Sequence, residues 1–285
     1  MSDTTIPVSK GTGLNPAVKA ALQSQAAAQK PTMPTETVEL PSKGFFYAST
    51  SPIASGTIEI YQVTARHEDI LSNSNLLKKG TVLDEFLKAL IATPDVSIND
   101  LLIGDKNALF IAARKSAYGE IYTTKVKCPE CGAESNVDID LNTLVGKELK
   151  VEGLTKNENK LTFKLPNSGK VVTFGLLTHK DEADIDAEMK ALAKFGADKA
   201  NTPEITTRLK YTIKAIDGDS DRLRVKNFVD TSLTAKDSLA LRRYVREVTP
   251  DMDMNFAFTC PECGHQTKMT VPLGANFFWP NVTES

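Results

Sequence analysis

The pentapeptide Cys-Pro-Glu-Cys-Gly occurs twice in this chain, at residues 128–132 and again at residues 260–264. The two copies contain all four cysteines of the 285 residues. Proline presets one backbone angle of such a segment, and glycine permits the left-handed conformation that closes a tight turn, so that both thiolates of one copy point at one ion. Because alternating sequences flank both copies, we predict that each forms the tip of a β-hairpin.

A single metal ion explains why two such motifs occur in one chain. Two thiolates supply half of a coordination sphere, and structural zinc commonly takes four cysteine ligands in a tetrahedron. A tetrathiolate set favours zinc over harder metals, although iron is also chemically allowed. A filled sphere leaves no position for water or a substrate, so the predicted role of the ion is structural. The predicted ligands of one zinc ion are Cys128, Cys131, Cys260 and Cys263.

Two other uses of the cysteines stay open at this point. A redox Cys-x-x-Cys pair usually opens a helix in a thioredoxin-like unit, whereas these motifs follow strand patterns. Disulfides or free thiols are the second alternative, but the first residues lack a secretory signal pattern, so we expect synthesis in a reducing cytosol. No stretch approaches the roughly 20 apolar residues of a membrane helix, and we expect no membrane insertion. His265 is interpreted as a surface residue or as one that lies just outside a complete ligand set.

The composition narrows the classes of function. Hydrophobic residues make up 41% of the chain, enough for a core, and the net charge is −2. This balance gives no general attraction to nucleic acid, although the basic stretches at residues 221–226 and 242–246 keep a nucleic-acid-binding zinc-ribbon protein as an alternative. We find no glycine-rich phosphate loop and no nucleophile with a recognisable base. We therefore expect no enzymatic activity and no small-molecule substrate.

Hydrophobic periodicity predicts an α+β fold. Apolar residues recur at helical spacing from Leu83 to Ile91, and further helices are predicted at residues 105–118 and 203–216. Strict alternation of apolar residues predicts strands, as at residues 136–141 directly after the first cysteine motif. Thr64 and Thr178 each follow a strand pattern and precede a helix pattern, where threonine is a suitable N-cap.

The two halves of the chain resemble each other beyond the cysteines. Asp105 lies 23 residues before Cys128 (128 − 105), and Asp237 lies 23 residues before Cys260 (260 − 237). Upstream, each half has a Leu-Pro pair, a Ser-Gly pair, a strand, a threonine and acidic residues in the same order. We therefore predict two related strand–helices–knuckle halves joined by a split zinc ribbon. The predicted parts are an extended or flexible arm at residues 1–35, a first half at 36–150 and a second half at 151–285.

Aromatic residues are concentrated near the end of the chain, and they have two possible roles. Adjacent aromatic side chains near a terminus either dock on the core or serve as anchors for a partner protein. The candidates for partner binding are Phe277, Phe278 and Trp279.

Four more stretches point to a family when they are taken with the cysteine motifs. They are LPSKGFFY (residues 40–47), ARHEDIL (65–71), IGDKNALFIAARKSAYGEIY (103–122) and NFFWP (276–280). Their order and spacing resemble the baseplate hub family of contractile-tailed bacteriophages of the T-even type, over about residues 38–280. Among these motifs only the cysteine knuckle is specific by itself.

The resemblance implies a non-enzymatic phage protein with other baseplate, hub or tail proteins as partners. Such a protein is made in the host cytoplasm and incorporated into the virion as a hub subunit of the tail baseplate. The resemblance leaves open an alternative role as an assembly factor, or chaperone, which helps the hub to form and is not retained in the virion.

Overall fold

Short antiparallel sheets alternate with helices along the chain, which confirms the predicted α+β class. The computed structural model describes residues 33–194 and 203–278. The predicted arm at residues 1–35 lies almost entirely outside the described residues, as does Trp279. The contacts group the described residues from Thr35 onward as one compact unit.

A hairpin and three short helices open the first half. Strand β1 (Thr35–Glu39) pairs with β2 (Thr57–Tyr61), and the chain continues into α1 (Ala65–Leu71), α2 (Ser74–Lys79) and α3 (Val82–Leu90). Directly after α3, Ile91 forms an antiparallel bridge with Ile60 of β2, so that the chain returns to the sheet edge. The long helix α4 (Ile103–Tyr118) follows, and β3 (Ile121–Lys127) and β4 (Glu134–Asp140) form the first cysteine hairpin.

The second half has a similar order of elements. A hairpin of β5 (Leu161–Lys164) and β6 (Val171–Phe174) leads into α5 (His179–Lys194), α6 (Glu204–Thr212) and strand β7 (Ile213–Ile216). Helices α7 (Arg222–Asn227) and α8 (Ala235–Val248) precede the second cysteine hairpin, which consists of β8 (Asn255–Thr259) and β9 (Gln266–Thr270).

The predicted helix at residues 203–216 is wrong in its last four residues. The helix ends at Thr212, and residues 213–216 form β7, which pairs with β6 through Phe174 and Ile213. Ile213 is fully buried and Ile216 nearly so. The spacing of Leu209, Ile213 and Ile216 satisfies a helical stripe, but pairing with a strand that lies about 40 residues earlier decides the conformation.

One large apolar core extends through both halves. Helix α3 buries one face, as the helical spacing predicts, with Phe86, Leu87 and Leu90 at no measurable exposure. Buried residues of β6 and α8, such as Val172 and Leu241, belong to the same cluster. Among the residues that the structure describes, no helix is long and apolar enough to cross a membrane.

Threonines begin the helix after the hairpin in both halves, where the sequence predicts caps. The backbone N–H of Thr64 donates to Nδ1 of His67 over 3.1 Å, and the hydroxyl of Thr64 lies 3.0 Å from the same nitrogen. The backbone N–H and the hydroxyl of Thr178 both donate to Oδ2 of Asp181, over 3.0 and 2.9 Å. Each cap therefore satisfies polar groups that the first turn of a helix leaves unpaired.

Backbone bridges join the two halves at two places. Leu102 bridges Thr178, which brings the start of α4 beside the start of α5. Gly146 bridges Met252, so the segment after the first hairpin pairs with the segment before the second. The elements that precede or follow the two cysteine hairpins are therefore in contact with each other.

Candidate metal centre

The first cysteine motif forms a tight knuckle at the tip of the β3–β4 hairpin, as predicted. The backbone N–H of Cys128 donates to the carbonyl of Ala133 over 2.8 Å, and that of Gly132 donates to the carbonyl of Cys128 over 3.0 Å. Gly132 has a φ of 75°, in the left-handed region that favours glycine. The turn thus needs the glycine of the motif, and it places Cys128 and Cys131 on one side of the loop.

The second motif repeats this geometry at the tip of the β8–β9 hairpin. The backbone N–H of Cys260 donates to the carbonyl of His265 over 2.9 Å, and that of Gly264 donates to the carbonyl of Cys260 over 2.9 Å. Gly264 has a φ of 72°. The identical pentapeptides therefore adopt one backbone conformation in two places.

The two knuckles face each other and bring the four sulfur atoms together. All four Sγ atoms lie within 4.8 Å of one another. Sγ of Cys128 is 3.8 Å from Sγ of Cys263, and Sγ of Cys131 is 3.7 Å from Sγ of Cys260. A zinc–sulfur bond of about 2.3 Å gives a tetrahedral edge of about 3.8 Å, so these distances fit one zinc ion. The four residues have free side chains that no disulfide joins.

A small apolar cluster packs against the two buried cysteines on the side of the protein interior. Val126 and Phe258 are buried, and they pack with Cys128 and Cys260, which are also buried. Cys131 and Cys263 are exposed on the outer side. The first cysteine of each motif therefore anchors the centre in the fold, while the second closes it at the surface.

The thiols of the two knuckles differ in their pKa values. Hydrogen bonding from the backbone N–H of Cys131 lowers the pKa of Cys128 to about 6. The backbone N–H of His265 acts in the same direction on Cys263, but desolvation and the neighbouring sulfur atoms outweigh it and raise the pKa of that thiol to about 12. Four adjacent thiolates repel one another, and a divalent cation removes this repulsion.

His265 contacts the knuckle through its main chain. Its carbonyl accepts the hydrogen bond from Cys260, and its side chain is half-buried. A second histidine, His67, lies in the ARHEDIL stretch and is buried. Its Nε2 lies 3.3 Å from the carbonyl oxygen of Ala89, 22 residues later in the sequence. His67 serves as part of the α1 cap, with no acid or base partner of a catalytic kind among its contacts in the described ranges.

The aromatic residues near the chain end lie in the core as far as the structure describes them. Phe277 and Phe278 are 0% and 1% exposed, and a short 3₁₀ turn holds them. Phe277 packs against Tyr122 with ring centroids 5.0 Å apart, and Nε of Arg114 donates to its carbonyl over 2.9 Å. These two side chains are not available to a partner in this conformation, because they fill space inside the first half. Trp279, the third candidate, lies outside the described residues.

The basic stretches are held by neighbouring groups. Arg224 pairs with Asp219, and a guanidinium nitrogen of Arg222 donates to the carbonyl of Lys210 over 2.9 Å. Arg243 and Arg246 are exposed on α8, whereas Arg242 is half-buried. Arg222 and Arg224 are therefore engaged within the chain, whereas Arg243 and Arg246 are exposed to solvent.

Sequence reasoning missed a feature that involves Arg242. This residue lines a cavity between α6 and α8 together with Arg208 and apolar side chains. The signal was present in the 132-residue spacing of the halves, because that spacing aligns Arg242 with the buried Phe110 (242 − 132).

These observations define an α+β protein with two knuckles that bring four cysteines into one tetrahedral cluster. A comparison with protein-family models matches residues 33–279 to the family described as T4 bacteriophage base plate protein. The chain belongs to this family, which confirms the resemblance seen in the sequence and identifies a phage baseplate protein. Comparisons with curated proteins and with solved structures give no match.

Proposed function

We propose that this protein is a structural hub subunit of the tail baseplate, retained in the virion and held together by one zinc ion. Family membership supports the baseplate role. The observation that supports the zinc is the tetrahedral spacing of four sulfur atoms from two hairpins far apart in sequence. The proposed ligands are Cys128, Cys131, Cys260 and Cys263.

The proposed ion acts as a clamp between the hairpins. Four thiolates fill its sphere, so it presents no open position for a substrate, and the free energy of binding contributes to folding. This arrangement supports a role without catalysis. The surfaces that the clamp holds in place would contact other baseplate, hub or tail proteins.

We further propose that two hairpin-to-knuckle units, at about residues 37–145 and 160–275, arose by duplication. Matching hydrogen bonds support this proposal. Asp105 accepts from the backbone N–H of Ser42 over 2.9 Å, and Asp237 accepts from that of Asn167 over 2.7 Å. Both donors are the third residue of a Leu-Pro-x-x-Gly turn, whose glycine has a φ of 71° in each half.

The way in which the chain returns to the sheet after α3 and after α6 supports the same proposal. Helices α3 and α6 each contain nine residues, and each is followed by an isoleucine that pairs with the neighbouring strand. Ile91 and Ile213 also donate their backbone N–H to a leucine carbonyl four residues earlier, Leu87 and Leu209. The pairing in the first half is a single bridge, whereas in the second half it extends to the full strand β7.

Mass spectrometry of purified particles tests the virion role. The expected result is that peptides of this chain are recovered from washed phage tails at a constant ratio to other baseplate proteins. If the chain is abundant in infected cells but absent from finished particles, the alternative role as an assembly factor replaces the proposed one.

A binding titration tests the remaining alternative, a nucleic-acid-binding zinc ribbon. The zinc-loaded protein is titrated with single- and double-stranded DNA and with RNA at low salt, where electrostatic binding is strongest. A flat response is expected. Tight binding that weakens steeply as salt is added would instead support the nucleic-acid role.

A further inference from the structure

A cavity of about 220 Å³ opens between α6 and α8 in the second half. Four of its eight lining residues are apolar and they contribute most of its surface, and Ile205 at its edge is 50% exposed. Two arginines, Arg208 and Arg242, also face it. The remaining lining residues are Leu177, Glu204, Leu209, Thr212 and Val245.

The repeated architecture relates this cavity to a filled place in the first half. Alignment of α3 with α6 by their ends gives a shift of 122 residues (204 − 82), so Arg208 corresponds to Phe86. Alignment of Asp105 with Asp237 gives a shift of 132, so Arg242 corresponds to Phe110. The cavity therefore corresponds to the space between Phe86 and Phe110.

An aromatic ring fills that space in the first half. The ring centroid of Phe278 lies 4.7 Å from that of Phe86 and 5.7 Å from that of Phe110. Phe278 comes from the end of the described chain and is not an element of the repeat itself. The first half thus receives an aromatic side chain from a separate segment, and the described residues supply no counterpart for the second half.

The two arginine side chains of the cavity indicate which chemical group its occupant carries. Glu182 and Glu204 hold Arg208 by ion pairs of 2.7 and 3.1 Å. Arg242 differs, because its Nε is buried and no group in the described part of the chain accepts a hydrogen bond from it. A buried donor without an acceptor is costly, so an occupant with a carboxylate at this point is favoured.

We propose that this cavity binds an aromatic side chain with an adjacent carboxylate, on an extended segment of another tail protein. A cavity of about 150 Å³ is sufficient to hold benzene, so 220 Å³ accommodates one ring. A ring that enters between Arg208 and Arg242 makes cation–π contacts, and its carboxylate accepts from Nε of Arg242. The identity of the partner rests on the proposed baseplate role, while the chemistry of the cavity does not.

A second copy of this chain is a poorer occupant than a different protein. The aromatic residues that match the cavity, Phe277 and Phe278, are already buried in their own first half. Their release would expose the first-half core to water.

Phenylacetate tests the chemistry because it combines one ring with one carboxylate. NMR titration of the zinc-loaded full chain with phenylacetate is expected to shift the methyl signals of Ile205, Leu209 and Val245, with saturation in the millimolar range. Toluene has the ring without the carboxylate, and acetate has the carboxylate without the ring. Each is expected to bind at least tenfold more weakly than phenylacetate. Shifts confined to other parts of the protein, or none at all, would overturn the proposal.

Matched variants locate the contact. Arg242→Met is expected to weaken phenylacetate binding at least tenfold, whereas Arg243→Met, on the exposed side of the same helix, leaves it unchanged. Should Arg242→Met fail to fold, Ile205→Glu at the exposed rim provides the same test, because its carboxylate repels the ligand. Unchanged affinity in the folded variant would show that the cavity is not the binding site.

Tail assembly tests the partner. Phage that carry Ile205→Glu are expected to yield at least tenfold fewer complete tails, whereas Leu223→Glu, at a side chain 66% exposed on α7, has no such effect. Phenylacetate binding with normal tails would support the cavity chemistry and overturn the tail-protein partner. Absence of the chain from purified particles would overturn the virion role alone, because binding of phenylacetate does not depend on it.

Discussion

Asp105 and Asp237 lie 132 residues apart (237 − 105), and each holds the first turn of a helix against a Leu-Pro turn. Asp105 accepts from the backbone N–H of Ser42, 63 residues earlier, and Asp237 accepts from that of Asn167, 70 residues earlier. Both aspartates are fully buried. Each therefore ties the helix before a cysteine hairpin to the sheet at the start of its half.

Replacement of either aspartate by alanine is expected to destabilise the protein. Asp105→Ala leaves the buried backbone N–H of Ser42 without an acceptor, and Asp237→Ala removes the charged acceptor of the backbone N–H groups of Asn167 and Ser168. Either loss is expected to cost about 1–3 kcal/mol in the free energy of unfolding. Asp105→Ala also removes the acceptor of the Tyr47 hydroxyl, so its loss is expected to be at least as large. Urea unfolding of the zinc-loaded protein measures both.

Asp69→Ala is the control, because Asp69 is exposed and the expected change is within about 0.5 kcal/mol. A loss of the same small size in all three variants would contradict the anchoring role of the two buried carboxylates.

The same pair predicts opposite dependences of stability on pH. Burial raises the pKa of Asp105 above its ordinary value of 3.8, and hydrogen bonds from Tyr47 and Ser42 offset this only in part. Burial also acts to raise the pKa of Asp237, but hydrogen bonds from Asn167 and Ser168 outweigh it and lower the pKa below 3.8. The contribution of Asp237 to stability is thus present above about pH 4 and lost as pH falls through its folded pKa.

Asparagine variants isolate these contributions by acid titration of the unfolding free energy. The stability advantage of the native protein over Asp237→Asn is expected to shrink as pH falls below about 4. Its advantage over Asp105→Asn is expected to grow as pH falls from the raised folded pKa towards 3.8, because the folded state binds the proton more tightly. Parallel curves for the two variants would contradict the opposite shifts.

The sequence predicted the elements whose signals are local. The cysteine knuckles follow from fixed spacing and turn chemistry, and the helix from Val82 to Leu90 follows from its apolar stripe. Strand β7 was missed because the apolar spacing of residues 209–216 also fits a helix, and only pairing with β6 distinguishes the two. The cavity beside Arg242 was missed for a related reason, because it arises from the packing of α6 against α8, which are distant in the sequence.

Loss of one cysteine is expected to abolish the proposed zinc clamp. Cys128→Ser and Cys260→Ser each remove a buried ligand, so bound zinc should fall from about one ion per chain to well below half, with a lower melting temperature. Metal analysis after dialysis and thermal unfolding followed by circular dichroism measure the two effects. Addition of a strong chelator to the native protein should lower the melting temperature in the same way.

Glu130→Gln is the matched control in the first knuckle, because the side chain of Glu130 is exposed and the change leaves all four sulfur atoms in place. It should retain one zinc ion per chain. Native zinc content and melting temperature in both serine variants would rule out the clamp.

Truncation of an aromatic side chain near the chain end is expected to lower the free energy of unfolding. Phe278 contacts Phe86 and Phe110, so Phe278→Ala leaves a cavity in the centre of the core and should cost about 3–5 kcal/mol. Leu223→Ala, at an exposed leucine, should change stability by less than about 0.5 kcal/mol. Equal effects in chemical unfolding would mean that the terminal segment does not dock as described.

Gly104 offers a test in which general helix propensity and local packing predict opposite signs. Replacement of glycine by alanine within a helix ordinarily stabilises by about 0.5–1 kcal/mol. At Gly104, however, a Cβ would lie 2.1 Å from the carbonyl oxygen of Pro250 and 2.6 Å from Cα of Asp251, both main-chain atoms of the other half. Gly104→Ala is therefore expected to cost at least about 1–3 kcal/mol, because the halves must separate. Lys236 lies in the first turn of α8, 132 residues after Gly104 (236 − 104), and is exposed, so Lys236→Ala should be neutral. A stabilised Gly104→Ala protein would show that α4 and the segment before β8 do not pack this closely.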